Sequence, residues 1–108
     1  MVLDHELAMG RVGGDTELLR ELAQLFLEEY PRLIGQLREA QQQGDAKTVE
    51  RTAHGLKGSV ANFGAKPAVD AAYRIEQLGK AGQLAGVPEP LASLEQSLVA
   101  LHTELSQL

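Results

Sequence analysis

The chain is predicted to be all-α, an antiparallel up-down four-helix bundle with a short additional N-terminal helix. Leucine, alanine, glutamate and glutamine dominate, aromatic residues make up only 4%, and no stretch has the alternating β-branched pattern of a strand. Four long segments carry apolar residues at steps of three and four, the period of a helix buried along one face. Short stretches bearing glycine or proline separate them, which suits helices that reverse direction at each connection.

A short first segment begins near Asp4, carries Leu3 and Leu7, and stops at the glycines of "GRVGGD"; it is expected to lid one end of the core. Asp15 can N-cap the second segment, Thr16 to about Gln43, which places Leu19, Leu22, Phe26, Tyr30, Leu33, Leu37 and Ala40 on one face. Pro31 falls inside it and removes a backbone donor, so a kink is expected near Glu28 to Tyr30. The third segment runs from the N-cap Asp45 to Phe63 with Ala46, Val49, Ala53, Leu56, Val60 and Phe63 in register, and Gly64 supplies its C-cap. The fourth starts at Pro67, a favoured first-turn residue, and carries Ala68, Ala71, Ala72, Ile75 and Leu78 before "GKAGQLAGVP" ends it. The fifth starts near Pro88 with Leu91, Leu94, Leu98, Leu101, Leu105 and Leu108 in the same rhythm.

At 108 residues the chain is expected to form one domain, residues 1–108, with a single core. Ten basic against fifteen acidic residues leave a net charge of −5, which repels a phosphate backbone and argues against nucleic acid as a partner. With no cysteine there is no thiolate chemistry and no disulfide framework, in keeping with a reducing compartment. No signal-peptide pattern and no apolar run of about 20 residues is present, so a cytoplasmic protein that does not enter a membrane is expected.

Chemistry concentrates in "TAHGLKGSVANFG", Thr52 to Gly64, where Gly55 and Gly58 flank His54 closely inside a helical run. Each mid-helix glycine costs about 1 kcal/mol relative to alanine. On a wheel of about 100° per residue the buried stripe centres between Ala53 and Leu56, and His54 falls roughly 135° away, facing solvent. Arg51, Lys57, Gly58 and Ala61 share or flank its face. Missing side chains on an exposed face clear space for a close approach, and an ammonium one turn from an imidazole can meet anionic oxygens carried on the ring. An exposed nucleophile with a cation and open space points to phosphoryl transfer. A surface histidine by itself is ordinarily only solvated; the combination carries the reading.

"AHGLKGSVANFGA", Ala53 to Ala65, resembles the signature of histidine-containing phosphotransfer (HPt) domains, through His54, Leu56, Lys57, Gly58, the small Ser59, Asn62, the apolar Phe63, Gly64 and Ala65. "GGD" at Gly13 to Asp15, the phenylalanine in the second segment and "GD" at Gly44 and Asp45 extend the resemblance over essentially the whole chain. Gly55 stands where the family is variable and often polar, and Phe63 is bulkier than the usual aliphatic residue. The resemblance implies that His54 accepts a phosphoryl group from the aspartate of one response-regulator receiver domain and passes it to the aspartate of another. It further implies that Lys57 stabilises the phosphoryl oxygens, that Gly58 leaves room for the partner, and that the partners are receivers or a hybrid sensor histidine kinase; Gly55, outside the signature, is expected to add to that access because it too lacks a side chain. Asn62 and Gly64 are read as ending the helix.

No cofactor is expected on this chain, because the receiver would supply Mg²⁺ and its carboxylates. The sequence also lacks a "GxxxxGK" loop, so a carrier and not an ATP-dependent kinase is expected. Leu27, Tyr30 and Ile34 lie off or at the edge of the second stripe near the level of His54, and with Arg51 and Ala61 they are candidates for receiver docking. The other reading of these three is contact with a further helix. A monomer is expected, since one bundle can bury all four stripes. Two rival readings exist. A di-iron bundle needs Glu-x-x-His on two helices, whereas "ERTAH" is one residue too long and His5, His54 and His102 share no metal-ligand spacing, so no metal site is expected. A plain interaction bundle that binds receivers without passing phosphate is opposed only by His54, Lys57 and Gly58.

Overall fold

The periodic segments become five α-helices in the computed structural model, which describes Met1–Leu108: α1 (His5–Arg11), α2 (Thr16–Gln43), α3 (Ala46–Ala61), α4 (Lys66–Ala81) and α5 (Pro88–Leu105). A 3-10 turn at Leu84–Gly86, not anticipated from the sequence, leads into α5. Three helices start on aspartate. The carboxylates of Asp4, Asp15 and Asp45 accept from the backbone N–H groups of Leu7, Leu18 and Thr48, each three residues on, and so satisfy donors that a first turn leaves free. Helices α4 and α5 have no such cap and instead carry proline in the first turn.

Gly64 ends α3 as expected from the sequence: its φ is +61°, and beyond it the Ala65 N–H donates to the Val60 carbonyl at 3.3 Å. A Cβ there would also lie 2.5 Å from Asp4 Cβ, because the start of α1 is pressed onto this turn, where the Asp4 N–H donates to the Phe63 carbonyl at 2.9 Å. The short helix therefore covers the α3–α4 end of the core. Leu3 and Ala8 make its buried contacts, while Leu7 is exposed.

α2 packs on α3, α3 on α4, α4 on α5, and α5 returns to α2. Neighbours run antiparallel, as paired residues show: Tyr30 with His102 and Arg38 with Glu95 across α2 and α5, Lys57 with Tyr73 and His54 with Glu76 across α3 and α4. Leu37, Val49, Leu56, Ile75, Leu94 and Leu101 meet in the middle with no exposed surface, each contributing about 1.5–3 kcal/mol by leaving water. The stripes foreseen on α3, α4 and α5 are the buried ones, apart from half-buried Leu78 and Leu108 and the first-turn Ala46.

The stripe on α2 is rotated from the expected one. Leu22 is exposed and Leu33 half-buried, and Ala23 and Ile34 occupy the core instead. Because α2 touches α3 on one side and α5 on the other, its apolar arc is wide, and period alone does not say which edge faces inward. The helix continues through Pro31 as a single element. No helix is long and apolar enough to cross a membrane.

Candidate functional site

His54 sits on α3 between the buried positions Ala53 and Leu56, and the helix turns its imidazole outward, where the side chain is 68% exposed. Its neighbour across the seam is Glu76 of α4. Glu76 Oε2 lies 2.8 Å from His54 Nδ1, and Glu76 Oε1 lies 2.7 Å from Lys57 Nζ, so one carboxylate joins the two α3 residues. Its side chain is only 14% exposed. The Lys57 ammonium beside it holds the Glu76 carboxyl below the usual carboxylate range; burial opposes this, and the hydrogen bond from His54 adds to it.

An ionised carboxylate can only accept, so the proton of the neutral imidazole resides on Nδ1 and the lone pair on Nε2. Nε2 has no hydrogen-bond partner and belongs to an exposed ring, which makes it the available nucleophile. The same carboxylate faces the ring if it becomes cationic on attacking an electrophile, and would stabilise that charge.

The register that brings Glu76 to His54 depends on a close approach one turn further along α4. A Cβ at Gly79 would lie 2.7 Å from the Glu50 backbone nitrogen and 3.1 Å from the Ala46 carbonyl oxygen. Only glycine lets the two backbones meet there. Gly55 and Gly58 are different: a Cβ at either would meet nothing within 4 Å, so they leave open surface beside the imidazole.

Lys57 is not free to solvent as the sequence suggests. It is paired to Glu76 and its Nζ stands 5.1 Å from the centre of the Tyr73 ring. Arg51 is exposed one turn before His54, and its charge helps keep Asp45 ionised, after the larger effect of the Thr48 hydrogen bonds. Ala61 is half-buried on the same helix.

The structure does not gather the docking candidates of α2 with Ala61, and shows for them the contact with a further helix that was the other reading. Ile34 is only 6% exposed and lines the seam with α5 beside Leu98; Tyr30 shares a hydrogen bond of 2.9 Å between its hydroxyl and His102 Nδ1; Leu27 lies against Leu105 and Leu108. All three face α5. The α3 side of α2, about 130° round the helix at about 100° per residue, presents Leu22, Leu25 and Leu33. With Phe26, Ser59 and Phe63 they line a groove of about 370 Å³ that starts one to two turns from His54, and Leu25 is 62% exposed.

Glu76 and Tyr73 are the site residues that the sequence reading missed. A signal existed for the first: two helices antiparallel about the turn at Gly64 bring position 76 level with position 54, and Glu76 is an acidic residue adjoining the buried stripe at Ile75.

The fold is that of a known structure. The chain superposes on the crystal structure of histidine-containing phosphotransfer protein B (HptB) from Pseudomonas aeruginosa PAO1 with a TM-score of 0.90 at 23% sequence identity, over 98% of this chain and 92% of that one. Among curated proteins none matches the chain. The Hpt domain family model matches residues 21–108, which include α3, its exposed histidine and the carboxylate that holds it, and the chain belongs to the Hpt domain family.

Proposed function

We propose that the chain is a phosphorelay intermediate of two-component signalling, taking a phosphoryl group on His54 from a receiver aspartate and passing it to the aspartate of a second receiver. The single observation that carries this reading is the exposed His54 ring tied through Nδ1 to Glu76 at 2.8 Å, with Nε2 unengaged. Nε2 attacks the phosphorus of the aspartyl phosphate, the N–P bond forms as the P–O bond breaks, and the electron pair leaves with the aspartate carboxylate. Nδ1 keeps its proton throughout, and the ring, now cationic, faces Glu76. That same charge makes the imidazole a good leaving group when the second aspartate attacks. Lys57 neutralises the phosphoryl oxygens, and the receiver brings the Mg²⁺.

The α2–α3 groove is the docking surface in this reading. Its exposed leucines continue the open face made by Gly55 and Gly58, so a receiver seated there covers apolar surface while its aspartate stands over His54.

Incubation with a panel of ³²P-labelled receiver domains tests the reading. The expected result is acid-labile, alkali-stable label on the wild-type protein, its loss in His54→Gln with the helical fold retained, and passage of the label to a second receiver. Receiver binding without any transfer would favour the interaction bundle instead.

A further inference from the structure

We propose that Tyr73 is a positioning residue for phosphoryl transfer: its ring holds the Lys57 ammonium beside His54 before any phosphoryl group arrives. The inference rests on the phosphotransfer reading and adds a residue to it. Tyr73 is 50% exposed on α4, and Lys57 Nζ lies 5.1 Å from its ring centre, within the range of cation–π attraction. Lys57 Nζ and Glu76 Oε1 stand 2.7 Å apart and Oε1 is closed off from water, but one carboxylate oxygen is a single point of attachment for a long, flexible side chain. The carboxylate therefore attracts the charge without fixing its direction, and the aromatic face is the second point that does so.

A lysine on an exposed helix face ordinarily ranges over many rotamers. Two attachments on α4 confine this one, whose side chain is 26% exposed. The two are unequal in what they ask in return. If Lys57 left Glu76 for the phosphoryl group, Oε1 would be stranded without a cation; an ammonium has three N–H donors and can keep one on Oε1 while turning another outward. The neutral ring competes with no phosphoryl oxygen, so it can guide the ammonium without retaining it.

The test uses phosphoramidate, a small donor with no surface to dock, so that any effect of Tyr73 on receiver binding drops out. Attack by His54 Nε2 forms the N–P bond, the P–N bond of phosphoramidate breaks, and ammonia departs. Phosphohistidine is followed by ³¹P NMR on wild type, Tyr73→Phe and Tyr73→Leu, and the Lys57 side-chain protons are followed for the ring-current shift that an aromatic face imposes. Tyr73→Leu is expected to slow phosphorylation by about three- to fivefold and to abolish the shift, while Tyr73→Phe, which keeps the ring, recovers most of the rate and the shift. A Tyr73→Leu rate equal to wild type, or a Tyr73→Phe rate as low as Tyr73→Leu, would overturn the role of the ring and leave the phosphotransfer reading standing. No phosphohistidine on wild type from phosphoramidate or from any receiver overturns both.

Discussion

The two seams that α3 makes with its neighbours are built on opposite principles. Against α4 the facing residues are small: Ala53, Ala68, Ala71 and Ala72 are buried, and at Gly79 the backbones meet without a side chain between them. Against α2 they are large. Phe26 and Phe63 pack with ring centres 5.5 Å apart, the helices stand further off, and the groove of about 370 Å³ opens beside exposed leucines. Close backbone approach gives the first seam one register, and short-range chemistry at its solvent edge needs that: His54 Nδ1 and Lys57 Nζ are each held within 3 Å of a Glu76 carboxylate oxygen. The second seam leaves apolar surface that only another molecule can cover. One seam is suited to positioning atoms, the other to receiving a partner.

That contrast can be broken from either side. The largest effect should follow Glu76→Ala, which removes the acceptor of Nδ1–H and the partner of Lys57. Phosphorylation from phosphoramidate is expected to slow by about 10- to 100-fold, the equivalent of the 1.5–3 kcal/mol carried by a hydrogen bond to a charged group. Glu76→Gln, which still accepts from Nδ1–H but carries no charge, should lose less; equal losses in the two variants would show that the charge, and not the orientation of the ring, is what matters.

Gly79→Ala attacks the same seam through the backbone. The added methyl group meets Glu50 N, which cannot yield without the helices parting, so stability should fall by about 1–3 kcal/mol in urea denaturation. His54 chemistry should weaken with it although residue 79 touches neither nucleophile nor carboxylate. Unchanged stability would mean that the seam is more compliant than its geometry indicates.

Leu25→Asp probes the other seam. The side chain is already mostly in water, so the melting temperature should hold while receiver affinity drops about tenfold, or about 1.4 kcal/mol. Phosphoramidate labelling should be untouched, because that donor makes no use of the groove. Normal receiver transfer in this variant would place the docking surface elsewhere.

The smallest effect is in the pH dependence of stability. Glu76 is held below the ordinary carboxylate range in the folded protein, so its contribution is present in full above the unfolded carboxylate pKa and is lost as pH falls through the lower folded value. Melting temperature followed downward from neutral pH should therefore decline in the acid range, and more steeply for wild type than for Glu76→Gln.

The helices and the solvent-facing histidine could be read directly, since both depend on the identity of residues three and four apart along one chain. Aspartate caps at Asp4, Asp15 and Asp45 precede α1, α2 and α3 for the same local reason. Of the two readings open for Leu27, Tyr30 and Ile34, the structure shows contact with α5; period alone does not choose, because a helix with two neighbours has an apolar arc wide enough to admit both.

By itself the sequence determined the all-α class, the helix limits and a histidine flanked by glycines on an outward face, because these follow from 3.6-residue periodicity and local hydrogen bonding. Only the tertiary structure decided that Glu76 holds that histidine, that Tyr73 and Glu76 claim Lys57, and that Ile34 is core while Leu25 is surface. Those outcomes depend on which residues of different helices stand level and how near the backbones come, a distance that Gly79 sets through steric contact with a helix some thirty positions away in the chain.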